Sequence, residues 1–339
     1  AAMAIAQRRK IPATIVTGFL GAGKTSLIRH LMANAGGRRI ALVINEFGDQ
    51  GVDREIIRAC GIEGCRDEDV VELANGCICC TVADDFLPTM QKILDRPEPV
   101  DHIVIETSGL ALPKPLVKAF TWPAVRNAVT VDGVVAVIDA EATAAGLFAS
   151  DPAAVVAARA SDPSLDHESP LEELFEEQVA CADMVVLNKC DRIDEAGKAR
   201  AREQVAVDLR PGVQIVETEH GRLDPLVLLG LDAAAEDDLD SRRSHHDDGS
   251  EHDHDDFQSF VVELPAITRP ADIEARIAAV ARAHPVLRVK GFLAVDGKPL
   301  RLAVQAVGAR IESYFDRPWA PDEPRRGALV VIGLDGLDE

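Results

Sequence analysis

A mostly parallel α/β sheet with helices on both faces, followed by a small α+β unit, is the fold class that the sequence predicts. Three observations predict it. From Ile11 to Val216, short apolar runs alternate with helix-length segments, the pattern of strands joined by helical crossovers. Most of these runs end at a polar or glycine-containing motif, and open α/β sheets bind ligands at that edge. After a sharply acidic stretch, strand and helix patterns begin again.

The first strand is the β-branched run Ile11 to Thr17, followed by a glycine-rich turn and a helical stretch from Lys24 to Ala35. Further strands are Ile40 to Ile44, Val70 to Leu73, Ile103 to Ile105, Val134 to Ile138, Met184 to Leu187 and Val213 to Val216. A helical pattern covers Val82 to Leu94. The Ala-, Asp- and Ser-rich insertion from Ala140 to Pro170 suggests no chemistry, and Pro170 to Val179 reads as an acidic amphipathic helix. Residues 1–231 are therefore expected to form one domain. Residues 232–256 carry eleven acidic residues, two basic residues and four histidines (His245, His246, His252, His254), the composition of a disordered linker with some capacity to collect metal. Residues 257–339 read as a second domain. Its strands are Phe257 to Leu264, Val286 to Val295, Arg301 to Val304 and Ala328 to Gly333. Ala271 to His284 is a helix, and a second helical stretch precedes the last strand. That order suggests a β-α-β-β-α-β unit.

Composition excludes several classes. With 36 basic against 57 acidic residues the net charge is −21, so no nucleic-acid partner is expected, because phosphates would be repelled. No run of eighteen apolar residues suggests a membrane span, and the first ten residues do not resemble a secretory signal. Seven cysteines, three of them within four positions, point to a reduced, cytoplasmic protein that uses thiolates for chemistry.

Four motifs carry that chemistry. Gly18-Phe19-Leu20-Gly21-Ala22-Gly23-Lys24-Thr25 fits the P-loop pattern between a strand and a helix. Backbone N–H groups of Gly18, Gly21, Ala22, Gly23 and Ser26 would cradle phosphates, Lys24 would meet the β- and γ-phosphates, and Thr25 would offer its hydroxyl to Mg²⁺. Asn188-Lys189-Cys190-Asp191 closes a strand and fits the guanine-reading pattern Asn-Lys-x-Asp. An Asp191 carboxylate accepts hydrogen bonds from the ring N–H and the exocyclic amine of guanine, a pair that adenine does not offer. Glu106 ends a strand and suits the second Mg²⁺-binding position, through water. Gly109 could give its N–H to a γ-phosphate, and in Asn45-Glu46-Phe47-Gly48-Asp49 either Glu46 or Asp49 could bind metal or position water. As catalytic groups the expected set is Lys24, Thr25, Glu46 and Glu106.

The fourth motif is Cys77-Ile78-Cys79-Cys80. Three clustered thiolates suit a soft or borderline divalent ion, and three protein ligands leave an open position fit for exchange. A redox dithiol and inert buried thiols are the alternatives. Cys60, Cys65, Cys181 and Cys190 lack such clustering and read as ordinary buried cysteines.

Together the P-loop, Asn45-Glu46-Phe47-Gly48, Glu72-Leu73-Ala74-Asn75-Gly76-Cys77-Ile78-Cys79-Cys80, Glu106-Thr107-Ser108-Gly109 and the histidine-rich stretch resemble the CobW family of P-loop GTPases. Within that family, Cys77 to Pro88, Glu106 to Pro115 and the insertion after Ala140 resemble most the branch of aerobic cobalamin biosynthesis. The resemblance implies a GTPase domain with a C-terminal α+β domain, acting as a GTP- and Mg²⁺-dependent metallochaperone. It would hydrolyse GTP, hold Co²⁺ at Cys77, Cys79 and Cys80, and supply it to a cobaltochelatase. Other branches of the family handle Zn²⁺, which thiolates bind more tightly than Co²⁺ by the usual affinity order.

Overall fold

The computed structural model describes residues 9–44, 70–72, 86–107, 109–161, 170–230 and 257–337. The chain divides into two compact units, one from Ile11 to Arg210 with Ile215 to Pro225, the other centred on the chain from Leu226 onward.

The first unit begins with β1 (Ile11–Thr17), α1 (Lys24–Ala33), β2 (Ile40–Ile44), β3 (Val70–Glu72), α2 (Leu87–Leu94), β4 (His102–Glu106) and α3 (Lys114–Ala119). There follow β5 (Val129–Asp139), α4 (Ala140–Ala144), α5 (Pro152–Ser161), α6 (Leu171–Cys181), β6 (Met184–Asn188), a 3₁₀ turn at Cys190–Arg192, α7 (Glu195–Ala206) and β7 (Gln214–Glu217). The sheet has seven strands in the order β3-β2-β4-β1-β5-β6-β7, and β1–β4, β1–β5, β2–β3, β2–β4 and β5–β6 all pair in parallel. β2, β4, β5 and β6 are buried along their whole length, and β1 from Ala13 onward. Helices cover both faces, which is why these strands read as unbroken apolar runs rather than alternating ones.

The sequence places β5 from Val134, but the strand starts at Val129. The difference lies in a bulge: Ala13 pairs with Val131 and Thr14 with Gly133, leaving Asp132 as the extra residue. Polar residues in this stretch masked the strand pattern, yet they are satisfied inside it. Thr14 Oγ1 donates to Asp132 Oδ2 at 3.3 Å and lies 2.7 Å from His102 Nε2.

The second unit holds α8 (Pro225–Leu229), β8 (Phe257–Leu264), α9 (Pro270–Ala283), β9 (Val286–Leu293), β10 (Leu300–Val307), β11 (Arg310–Pro318) and β12 (Gly327–Leu334). Its five strands form an antiparallel sheet in the order β11-β10-β9-β12-β8. This corrects the β-α-β-β-α-β expectation. The stretch expected to hold a second helix is β11, joined to β10 by the tight turn at Gly308, whose φ of 55° only glycine adopts freely. β11 is half-buried along most of its length, with Ile311 and Phe315 against the core. Its alternation with Glu312 and Tyr314 is a strand's period of two.

α9 buries Ile273, Ile277 and Ala281 against this sheet. Arg288 on β9 donates to the carbonyls of Val227 and Leu228 and so ties α8 to the second unit. Arg301 on β10 is 3% exposed and forms a two-pronged pair with Asp316 of β11, which is 2% exposed: its N–H groups reach the carboxylate at 2.6 and 3.2 Å. Its guanidinium lies 3.5 Å from the centre of the Phe292 ring. Removing one partner of a buried pair strands the other charge, which costs about 3–5 kcal/mol. Arg301 keeps a second, longer contact with Glu323 at 3.5 Å, so Asp316→Ala should lower stability by about 3 kcal/mol, the low end of that range, in urea unfolding. Arg301→Met with Asp316→Leu should recover most of it. Equal losses in the single and double variants would show that the pair contributes through packing alone.

Candidate functional site

The carboxyl ends of five neighbouring strands, β4-β1-β5-β6-β7, carry the residues that the sequence singled out, and others that it did not. The turn after β1 runs from Gly18 through Gly21 and Ala22 to Gly23, which caps α1. Gly23 has a φ of 108°, and a Cβ there would collide with the side-chain amide of Asn188. No other residue satisfies both demands. Lys24 begins α1 and is 9% exposed; its ammonium donates to the carbonyls of Gly18 at 2.5 Å and Phe19 at 3.3 Å. The charge is thus held over the loop rather than swinging in solvent. Thr25 and Ser26 follow in the first turn of α1, both partly exposed.

β4 ends at Glu106, 9% exposed, in register with Val16 of β1. The next residue, Thr107, donates its N–H to the Val16 carbonyl at 2.9 Å. This holds the start of the Gly109 segment to the strand that feeds the P-loop. The backbone of Gly109 lies against Gly18, Phe19 and Leu20, and its carbonyl accepts from Gln178 Nε2 of α6 at 2.7 Å. Thr25 lies in the first turn of the helix that follows β1, and Glu106 ends β4, the strand beside β1. Both side chains are hard oxygen donors, the set that Mg²⁺ takes together with water and phosphate.

At the end of β6, Asn188 is 2% exposed. Its amide donates to the Ala22 carbonyl at 3.0 Å and accepts the Gly221 N–H at 3.0 Å. Lys189 takes a left-handed backbone, φ 64°, which turns its side chain back to Asp139 Oδ2 at 2.5 Å. Asp139 ends β5, is 1% exposed, and also caps α4 through the Ala142 N–H at 2.9 Å. Asp191 sits in the 3₁₀ turn with its side chain 30% exposed. Cys190 between them is buried and donates to the Leu187 carbonyl at 3.1 Å.

Two features escaped the sequence reading. Asp139 stood at a strand end, but nothing marked it as the partner of Lys189. The loop after β7, Thr218 to Gly221, has no motif of its own, yet it closes the edge. Thr218 donates its N–H to Leu187 O at 2.9 Å and accepts the Cys190 N–H at 3.2 Å. The signal was the His220-Gly221 pair, set off by two residues from the end of a strand, where glycine marks a backbone position that needs unusual φ. The insertion also has a structural role. Phe19 of the P-loop is 2% exposed, stacked on Phe175 of α6 at 6.1 Å and tilted against Phe148 at 5.4 Å. Leu110, Val155 and Leu174 complete that cluster.

Glu46, Asp49, Cys77, Cys79 and Cys80 lie outside the described residues, as does the histidine-rich stretch 232–256. Among the described residues, no group of three or more His, Cys, Asp or Glu side chains could hold a metal ion, and no helix is long and apolar enough to cross a membrane.

A P-loop at the centre of a parallel sheet, flanked by an acidic strand end and an Asn-Lys-x-Asp turn, defines the first unit as a P-loop nucleotide-binding domain. Residues 12–217 match the family model of the CobW/HypB/UreG nucleotide-binding domain, and residues 257–339 match the cobalamin synthesis protein cobW C-terminal domain. The chain belongs to the CobW family of P-loop GTPases. It is 55% identical over 338 residues to a Sinorhizobium protein named zinc chaperone CobW, covering 98% of this chain and 96% of that protein. A Pseudomonas aeruginosa protein of the same name is 54% identical over 336 residues, with 97% and 89% covered. The zinc chaperone YjiA of Escherichia coli is 30% identical over 341 residues, with 97% and 96% covered.

Burial pushes the Cys190 thiol up to about 11, with Glu217 adding to the rise. Against its ordinary value of 9.0, that lowers the thiolate fraction at pH 8 about 100-fold, and the thiolate is the nucleophile. Iodoacetamide at pH 8 should therefore label Cys190 at least about 100-fold more slowly in the native protein than in urea, followed by peptide mass spectrometry. Equal rates would place Cys190 among reactive rather than inert cysteines.

Proposed function

We propose that the chain is a GTP-hydrolysing metallochaperone that uses a Mg²⁺-assisted P-loop site to control a cysteine-held divalent cargo ion. The observation that carries the nucleotide half is the junction at Asn188, which locks the Asn-Lys-x-Asp turn against Ala22 of the P-loop. Phosphate-binding and base-reading segments are thereby set side by side. In this reading the N–H groups of Gly21 to Ser26 and the Lys24 ammonium bind phosphates, while Thr25 and Glu106 hold Mg²⁺, which neutralises charge on the transferred phosphoryl group. Asp191 reads guanine. Lys189, pinned by Asp139, is kept from swinging into the base site. Glu46 or Asp49 orients the attacking water.

The cargo half rests on Cys77, Cys79 and Cys80. Zn²⁺ is the cargo that the names of the close relatives favour, and the affinity order of thiolate sites favours it too. Co²⁺ delivered to a cobaltochelatase is the second reading, supported by the likeness of Cys77–Pro88 and Glu106–Pro115 to the cobalamin branch. In both, exchange is possible because three thiolates leave one position open.

Base recognition is tested by Asp191→Asn. The amide oxygen still accepts from the ring N–H of guanine, but the amide nitrogen now faces guanine's amine, donor against donor. Xanthine has a carbonyl oxygen there. Wild type should prefer GTP to ATP by as much as about 10⁴-fold, the discrimination of sites built on such hydrogen bonds. The variant should prefer xanthosine triphosphate. Competition binding that gives the same GTP preference for both proteins would remove Asp191 from this role.

Cargo binding is tested with Cys77→Ser, Cys79→Ser and Cys80→Ser, alone and combined. Co²⁺-loaded wild type should show intense visible bands of tetrahedral cobalt and thiolate charge transfer in the near ultraviolet. The triple variant should lose both, and Zn²⁺ should displace Co²⁺ from wild type. A triple variant that kept the spectrum would move the site elsewhere. Co²⁺ that resisted Zn²⁺ in the GTP-bound protein, together with transfer to a cobaltochelatase, would favour the second reading over the first.

A further inference from the structure

We propose that His220 is a positioning residue for base recognition: its imidazole orients the Asp191 carboxylate to receive the two N–H groups of guanine. This deepens the reading of Asp191 as the guanine reader and rests on it.

Among the described residues, two that are not glycine have a positive φ, Lys189 at 64° and His220 at 53°. They flank Asp191 from two different loops. Left-handed backbone is disfavoured for a residue with a Cβ, and where it persists the surroundings enforce it, most often at functional sites. The enforcement on His220 is visible on both sides. Before it, Thr218 is fastened to β6 by its N–H to Leu187 O and by the Cys190 N–H to its carbonyl, and its hydroxyl donates to the Arg222 carbonyl. After it, Gly221 gives its N–H to Asn188 Oδ1 at 3.0 Å. Gly221 has φ 66° and lies so close to Ser26 and Leu27 that a Cβ would collide with the backbone of α1. The loop is thus clamped between the helix that follows the P-loop and the turn that holds Asp191, with His220 at its crest.

His220 Nε2 lies 3.5 Å from Asp191 Oδ2. That separation is an ion-pair contact longer than a formed hydrogen bond, and no hydrogen bond or other ion pair reaches the Asp191 carboxylate among the described residues. A carboxylate on a short turn rotates freely unless something fixes it, and a two-pronged contact with a planar base needs it in the plane of that base. Each oxygen accepts more than one hydrogen bond. An Nε2–H that closed from this separation onto Oδ2 as the base enters would leave lone pairs on both oxygens for guanine while fixing their plane. The side chains are 61% and 30% exposed respectively, so the pair faces outward, where a base would enter.

Three substitutions separate the imidazole from the backbone. His220→Gly keeps the left-handed conformation without strain and removes the ring. His220→Ala removes the ring and adds strain. His220→Asn tolerates the conformation and keeps a short N–H donor. Equilibrium competition among GTP, inosine triphosphate and xanthosine triphosphate, with KM and kcat for GTP, reads the outcome. His220→Gly should weaken GTP roughly tenfold, the scale of one imperfectly placed hydrogen bond to a charged group. It should also shrink the preference for GTP over inosine triphosphate, which lacks the exocyclic amine, and leave kcat unchanged. His220→Asn should restore part of that preference. His220→Ala should match His220→Gly in selectivity and fall below it in thermal stability. Wild-type KM and base selectivity in His220→Gly would overturn the proposal. If Asp191→Asn turns to xanthosine triphosphate while His220→Gly stays neutral, only His220 loses its role. If Asp191→Asn does not turn, the guanine reading falls and His220 with it.

Discussion

The side chain of Asn188 is buried at the end of β6, and the geometry of the whole nucleotide edge depends on its two hydrogen bonds. One goes to the Ala22 carbonyl in the P-loop, the other comes from the Gly221 N–H beyond β7. An amide suits this place because it donates and accepts at once. A carboxylate would face the Ala22 carbonyl with another acceptor. An aliphatic residue would leave the Gly221 N–H without its partner, at a cost of about 1–3 kcal/mol for a buried group. The glycine at position 23 follows from the same constraint, since the amide occupies the space where a Cβ would be. Asn188 thus ties three strand ends, those of β1, β6 and β7, into one surface before any nucleotide binds. Preorganisation of this kind spares the ordering cost that binding would otherwise carry.

Behind that surface, the sheet and the insertion divide the work. The strand order puts β1 between β4 and β5, so the P-loop lies at the centre with an acidic residue on each side. Glu106 is left beside the strand that feeds the P-loop, in register with Val16. Asp139 is neutralised by Lys189 and by the cap it gives α4. The insertion supplies the back wall. Phe19 is anchored among Phe148 and Phe175, and Gln178 on the same helix as Phe175 holds the Gly109 carbonyl. One helix, α6, therefore supports the P-loop through an aromatic contact and the Gly109 segment through a hydrogen bond.

The legible parts of the sequence were those with local physics behind them. Doubly buried strands give apolar runs, and P-loop spacing gives glycines where the backbone must turn. The missed parts depend on partners distant in sequence. Asp132 interrupts the β5 pattern, yet its bulge is made comfortable by Thr14, 118 residues away. β11 was not legible as a strand because only Ile311 and Phe315 of its inward positions are apolar, with Ser313 between them and Arg317 after them. Its partner β10 and the buried Arg301–Asp316 pair decide the matter. Asp139 and His220 carry no motif, and their roles exist only because β5, β6 and β7 end side by side. Motifs therefore nominated the two ends of the proposed nucleotide site, and tertiary structure alone revealed the contacts that hold those segments together.

The same strand order constrains how a cargo ion could influence the nucleotide. Cys77 follows β3 by five positions in the chain, and β3 is the edge strand on one side of the sheet. From β3 the order runs through β2 and β4 to β1, while β6 and β7, whose ends lead to Asp191 and His220, lie on the other side of β1. A signal that entered the sheet at β3 would pass the end of β2 and then that of β4. There Glu106, Thr107 and Gly109 are fastened to Val16 and to the P-loop backbone. The base end is insulated, because Asn188 and Asp191 depend on contacts with Ala22, Gly221 and His220 rather than with β2, β3 or β4. In the proposed chaperone, metal and nucleotide therefore couple through the γ-phosphate and its Mg²⁺, not through the base. Thermodynamic reciprocity follows: the ion discriminates GTP from GDP by the same factor by which those nucleotides alter its own affinity. In the same reading, selectivity for guanine is a separate property, set by a separate set of strands.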